Sequence, residues 1–278
     1  MHKKTTTRRI LSLLLAFFLT LCFASLSLVL VTNVGFVGKR NFKESLVKSG
    51  YIQNTETKVT EEIKKLLEQK KIDTSIADKV ISYDTIYMDI SNYIDAVYSG
   101  KDGTVDMTTF EKGLKDAINE YFNEHQAIVS DQVNAATDEL VKNASNMYRN
   151  YVTTSFSATI NDFSNDLQST LKIIGIVSGI LAVVIMVILF LLYHYKHHAV
   201  DYIIYSVIAT TLLNAIAVFT LGNSNFIKSL NIGPDYYLDF LNQMISNCVK
   251  VGYQVTAMYA VFAVALFFVN RYIRKITQ

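Results

Sequence analysis

The sequence predicts an all-α integral membrane protein, with four transmembrane helices and a helical extracytoplasmic domain between the first and second. Three observations carry that expectation. Apolar runs at residues 10–31, 171–193, 200–221 and 251–269 have no charged side chain in their middles, Lys172 and Asp201 sitting at edges, and a span needs roughly 20 mostly apolar residues. Residues 33–170 hold 21 of the 24 Asp and Glu against 15 Lys and Arg, a net −6; the other three acids are Asp201, Asp235 and Asp239. A single proline, Pro234, occurs in 278 residues, which favours long helices because proline breaks them.

The elements follow in order. Residues 1–9 carry Lys3, Lys4, Arg8 and Arg9; Lys and Arg resist translocation, so this end is expected in the cytoplasm. Residues 10–32 are the first span. It reads as a retained anchor, since its apolar run of about 22 residues exceeds the usual signal-peptide core and no A-x-A site follows. Residues 33–170 form the acidic extracytoplasmic domain and 171–193 the second span. Residues 194–199 make a short cytoplasmic turn, 200–221 the third span, 222–250 an outer loop and 251–269 the fourth span. Residues 270–278 are a basic cytoplasmic tail with Arg271, Arg274 and Lys275. The localisation implied is the cell membrane, with both termini cytoplasmic. Cys22 and Cys248 are placed at different depths, so no disulfide is expected.

Inside the acidic domain, four helices are expected. Residues 55–71 carry an apolar stripe of Val59, Ile63, Leu66 and Leu67. Residues 74–98 place Ile76, Val80, Ile86, Ile90, Ile94 and Val97 at helical spacing. A turn at residues 99–103 precedes a helix at 108–123, opened by Thr108 with Glu111 three residues on, the pattern of a capping box. From Ala127 to Ile174 there is no Gly or Pro. Val133, Leu140 and Met147 recur at seven, Phe156 and Phe163 continue the series, and one helix is expected to run into the second span. Its weakest point is Thr153-Thr154-Ser155, where helix propensity is lowest. In the outer loop, residues 236–249 after Pro234 predict an interfacial amphipathic helix with Tyr237, Leu238, Leu241, Ile245 and Val249 toward lipid.

Candidate sites are few. His194, His197, His198 and Asp201 fall on roughly one helix face, where imidazoles and a carboxylate suit Zn or Fe. His194-Tyr195-Lys196-His197-His198 resembles one histidine box of the membrane fatty-acid desaturases. That resemblance implies a di-iron site fed by several boxes, and the only other histidines are His2 and His125, too few to fill one. The plainer reading is a headgroup-level turn, so no metal site and no cofactor is assigned. Asp102-Gly103-Thr104-Val105-Asp106 resembles the second half of an EF-hand loop, but Tyr98, Gly100 and Thr109 stand where carboxylates belong, and calcium needs six or more oxygens. Gly175 and Gly179 form a GxxxG, a helix-packing surface. Asn214 and Gln254 are the intramembrane polar residues to watch, with Ser178, Thr210, Thr211 and Thr256 as further helix-to-helix glue. No P-loop, dinucleotide fingerprint, G-x-S-x-G or HExxH is present.

These features point away from chemistry and toward binding. A non-enzymatic envelope protein that binds, senses or assists through its external helical domain is the leading expectation. Two spans flanking a helical domain resemble the input halves of bacterial chemoreceptors and sensor kinases, which implies signalling through a partner. A subunit of an oligomeric transporter or channel is the alternative, and a metal-dependent enzyme using the histidine cluster stands third. The partners expected are the lipid bilayer and one or more membrane or envelope proteins, with room for a homo-oligomer. Nucleic acid is disfavoured because the one sizeable polar domain is acidic. In composition the chain resembles membrane proteins of low-GC Gram-positive bacteria.

Overall fold

The computed structural model describes residues 2–101, 103–126, 130–223 and 235–277, and their side chains except at 2–6, 154–165, 235, 276 and 277. Asp102, the helix start expected at Ala127 and the loop at 224–234 with Pro234 lie outside the described residues, as do the side chains of His2, Lys3, Lys4, Phe156 and Phe163. Among the described residues there is no strand. The helices are α1 (His2–Val31), α2 (Lys39–Lys48), α3 (Tyr51–Gln69), α4 (Ser75–Val80), α5 (Tyr83–Tyr98), α6 (Thr108–Glu124), α7 (Asp131–Leu192), α8 (Lys196–Asn223) and α9 (Asp235–Thr277). A one-turn π-helical segment, Thr32–Phe36, follows α1. The fold is all-α, and four helical stretches are long and apolar enough to cross a membrane: Thr7–Phe36, Asp166–Leu192, Lys196–Asn223 and Tyr236–Lys275.

The chain packs as two units. The membrane unit comprises Met1–Phe42, Leu167–Gly233 and Leu241–Gln278, and the charged unit Lys43–Asp166 and Pro234–Phe240. In the membrane unit one core draws on all four long helices: Leu19 and Phe23 from α1, Ala182 and Leu189 from α7, Ile203 and Val207 from α8, Val255 and Tyr259 from α9. The opposite faces stay apolar and uncovered, Leu191, Val261 and Phe219 among them. Water would penalise such a surface, whereas hydrocarbon tails do not. Cys22 and Cys248 are both buried free thiols.

Helix-to-helix contact in this unit has two devices. Ser206 Oγ donates to the Ala16 carbonyl at 2.8 Å and Asn214 Nδ2 to Ser27 Oγ at 2.8 Å, while Thr210 Oγ1, bonded within α8 to the Ser206 carbonyl at 2.9 Å, lies 3.4 Å from the Thr20 carbonyl. These donors, at i, i+4 and i+8 on α8, make a polar seam along α1. Close approach through glycine is the second device. A Cβ on Gly35 would lie 2.8 Å from Cys248 Cα, and one on Gly252 would lie 2.5 Å from a Val218 methyl.

The charged unit has a conventional interior. Val59, Ile63 and Leu67 of α3, Ile86, Ile90 and Ile94 of α5, and Leu114 and Ile118 of α6 are all buried. The expected helix at 74–98 is two helices: Ile81 is extended (φ −102°, ψ 126°), and Ser82 Oγ accepts the Thr85 N–H at 3.3 Å as the cap of α5. This corner buries Ile81 together with Ile76 and Ile86, which a straight helix would leave at different angles. The capping box at Thr108 does not form. Asp106 takes that place, its Oδ1 accepting both the Thr108 N–H at 2.9 Å and its hydroxyl at 2.6 Å, while Glu111 accepts from Ser145 Oγ at 2.6 Å. Those two bonds hold the Asp106 carboxyl below the ordinary carboxylate range.

α7 is a single helix of 62 residues, and its backbone stays helical through residues 153–155. Its buried face is Leu140, Ala144, Tyr148 and Val152, a spacing of four. Of the seven-residue series only Leu140 belongs to this face, Val133 and Met147 being half-buried. Tyr148 stacks on Phe110 at 4.6 Å and donates its hydroxyl to Asp89 Oδ2 at 2.7 Å. Burial and that carboxylate push the Tyr148 hydroxyl far above the usual phenol range. Burial likewise raises the Asp89 carboxyl, against the Tyr148 bond, with the Asp106 charge adding to the rise.

The expected interfacial helix at 236–249 is no separate element. α9 runs unbroken for 43 residues, there being no Gly or Pro between Asp235 and Val251 to end it. Its buried series is Phe240, Met244 and Cys248. In the charged unit, Tyr236 and Phe240 pack their rings on buried Tyr51 at 5.3 and 6.1 Å, and the Lys58 ammonium sits 4.6 Å over Tyr236.

Candidate functional site

On α8, residues 198, 202, 206, 210 and 214 recur at four, so each neighbours the next in one row that winds about 40° around the helix per step. Three of them, Ser206, Thr210 and Asn214, belong to the seam on α1. Following that row toward the start of α8 reaches Tyr202 and His198, which line one cavity with Arg8 and Arg9 of α1. There the membrane unit holds a polar cavity of about 260 Å³, lined by Arg8, Arg9, Tyr193, His198, Asp201, Tyr202 and Tyr205. The turn from α7 to α8 is only residues 193–195, and Lys196 Nζ closes it by donating to the Phe190 carbonyl at 2.9 Å. His197 and His198 therefore lie in the first turn of α8 rather than in a longer turn.

The cavity is built from aromatic faces and charge. The Arg8 guanidinium lies 4.4 Å from the Tyr193 ring centre, a cation–π contact. Tyr193 is buried, stacks on Tyr202 at 5.7 Å and meets the His198 ring at 5.7 Å. Tyr202 in turn meets Tyr205 edge-on at 6.1 Å. Asp201 is already engaged: Arg274 Nη2 reaches both its oxygens, at 2.7 and 2.8 Å, and Asn270 Nδ2 donates to Oδ1 at 2.6 Å. These bonds tie the start of α8 to the end of α9. The positive charge of Arg8 and Arg9 is thus left for the cavity itself.

The candidates expected from sequence separate here. His194 is exposed and touches Tyr195, His197 and His198 rings lie 4.2 Å apart, and His198 Nδ1 is 3.8 Å from Asp201 Oδ2. Among the described residues no three His, Cys, Asp or Glu side chains are gathered where they could hold a metal ion. Gly175 faces Val29 at an ordinary 3.4 Å, and Gly179 faces open space; the tight approaches are at Gly35 and Gly252. Asn214 joins the seam, while Gln254 is exposed on α9. Ser206 went unremarked in the sequence, as did Tyr202, Tyr205 and Asn270. The recurrence of polar residues every four positions on α8 was the signal that could have found the first two.

A second feature lies on the charged unit. Among its described residues the large apolar side chains left exposed are Val47, Tyr87 and Met88, the last at 61%. Tyr87 and Met88 are adjacent on α5, and Tyr83 stacks against Tyr87 with rings 6.4 Å apart and 3° from parallel. Tyrosine and methionine are enriched in protein interfaces, so this outward face is a candidate contact surface on an otherwise polar unit. No protein-family model matches the chain, and neither a curated protein nor a solved structure matches it.

Proposed function

We propose that this protein is a non-enzymatic membrane protein of a bacterial cell envelope, whose charged unit lies outside the cytoplasm and binds a protein partner there. The observation that carries the reading is the Tyr83–Tyr87–Met88 face of α5, an aromatic and methionine patch on a unit where, among the described residues, Val47 is the one other large apolar side chain left exposed. Methionine and tyrosine can pack against varied partner surfaces at low entropic cost. The orientation rests on charge. Arg8, Arg9, Arg271, Arg274 and Lys275 flank the spans, and basic residues next to spans stay cytoplasmic, which leaves residues 33–170 and their net −6 on the other side.

The test is photo-crosslinking in native membranes from position 87, with identification of what is captured. A defined partner captured by the parent chain and lost in Met88→Glu supports the reading. Capture that is unchanged by Met88→Glu, or a position 87 that only cytoplasmic reagents reach, overturns it.

A further inference from the structure

We infer that the cavity at the start of α8 is a binding site for a phosphate-bearing anion, held by Arg8 and Arg9. Three properties of the cavity lead there. Its charge is unspent: among the described residues no carboxylate lies within ion-pair distance of Arg8 or Arg9, and Asp201, the one acid in the wall, is paired with Arg274 and accepts a further hydrogen bond from Asn270. One of its cations is held in place, the Arg8 guanidinium lying 4.4 Å from the Tyr193 ring centre. Guanidinium is the group whose donor fork matches phosphate oxygens. Tyr202 and Tyr205 belong to the same lining, and a phenol hydroxyl is a group that can donate to an anion. A topogenic cluster of cations needs none of this architecture, since orientation depends on charge and not on a walled, aromatic-backed pocket.

Two sources offer that chemistry, a phospholipid headgroup and a soluble phosphate ester. The cavity sits at the ends of the stretches Thr7–Phe36 and Lys196–Asn223, the depth at which headgroup phosphates lie. Elsewhere on α8, Ile204, Ile208 and Leu212 line an apolar groove of about 440 Å³ with Val264 and Phe267 of α9, a surface suited to hydrocarbon. The lipid arm is accordingly the first to run.

The experiment uses the full chain in nanodiscs of phosphatidylcholine with a minor fraction of phosphatidylglycerol. After extraction, native mass spectrometry counts the phosphatidylglycerol retained, and a parallel titration of the detergent-solubilised protein with inorganic phosphate follows the tyrosine fluorescence. Arg8→Lys/Arg9→Lys keeps the charge and the insertion signal but removes both planar forks; Arg271→Gln/Lys275→Gln removes two cations of the tail instead. Retention that falls about fivefold or more, the worth of one lost hydrogen bond, in the first variant and not in the second assigns the site to lipid. Phosphate binding with that same variant pattern, without lipid retention, assigns it to a soluble phosphate. Equal losses in both variants, or binding of neither probe by the parent chain, overturns the inference.

Discussion

Leu114 of α6 and Leu212 of α8 are the same residue in opposite circumstances. Leu114 is fully buried among the helices of the charged unit, and Leu212 is 60% exposed on the membrane unit. Apart from Val47, Tyr87 and Met88, the described large apolar side chains of the charged unit are turned away from the surface, as expected where water is the solvent and the hydrophobic effect holds the helices together. The membrane unit leaves whole apolar faces uncovered, and hydrocarbon gives no comparable drive for one helix to find another. Cohesion there rests on other means: the Ser206–Thr210–Asn214 seam, the Gly35 and Gly252 approaches and the Asp201 clamp. One chain thus uses two separate ways of holding helices together.

The widest contrast comes from the two leucines. Leu114→Ala is expected to destabilise the charged unit by about 2–5 kcal/mol, and Leu212→Ala to change the membrane unit by less than about 0.5 kcal/mol. Amide hydrogen exchange of the full protein in nanodiscs reads both, and similar costs would break the comparison. A charge should reverse the sensitivities. Val261→Arg, on the exposed face of α9, is expected to cost about 2.5–3.5 kcal/mol of membrane insertion, seen as a lower inserted fraction in a translocation assay. Glu68→Arg, on the solvated surface of α3, should leave the same readout unchanged.

Smaller effects sharpen the account of the membrane unit. Gly35→Ala forces the π-helical turn away from Cys248 backbone and is expected to cost about 1–3 kcal/mol, whereas Gly179→Ala meets nothing. Thermal unfolding in detergent separates the two variants, and equal losses would show that the Gly35 contact does not hold α9.

The smallest expected effect lies in the charged unit. The Asp89 carboxyl is raised on folding, chiefly by burial, so the folded state prefers its protonated form. That preference contributes stability below the unfolded carboxylate range and is lost as pH rises through the raised folded value. Asp89→Asn should therefore flatten this part of the pH dependence of stability and leave the charged unit no less stable at neutral pH. A drop at neutral pH would mean that the ionised partner of Tyr148 is worth more than its burial costs.

The fold was legible wherever one periodicity dominates. Val59, Ile63 and Leu67, or Ile86, Ile90 and Ile94, announce both their helix and its buried face, and the four apolar runs announce the spans. It was not legible where a three-dimensional partner decides. Nothing local marks Ile81 as extended until Ile76 and Ile86 must both turn inward, and Asp106 displaces the Thr108 cap by lying two residues before it. Residues 236–249 carry an amphipathic pattern either way; that Phe240 packs on Tyr51 depends on a residue nearly two hundred positions distant. The candidate site was half visible. His198 and Asp201 stood out by residue type, whereas Arg8 and Arg9 read as topology signals, and nothing in the sequence drew attention to Tyr202 or Tyr205. Only packing of α1 on α8 brings these residues into one cavity.

The two thiols give the membrane unit its own chemical clock. Cys22 lies in the core shared by all four long helices, and Cys248 lies against Gly35. Alkylation of Cys248 is expected to report α9 lifting from the π-helical turn, and alkylation of Cys22 to report opening of the core that the four long helices share. With no other cysteine in the chain, the ratio of the two alkylation rates distinguishes local breathing from global opening in the unaltered protein. Occupying the Arg8–Arg9 cavity should slow the Cys22 rate more than the Cys248 rate if the anion fastens α1 to α8.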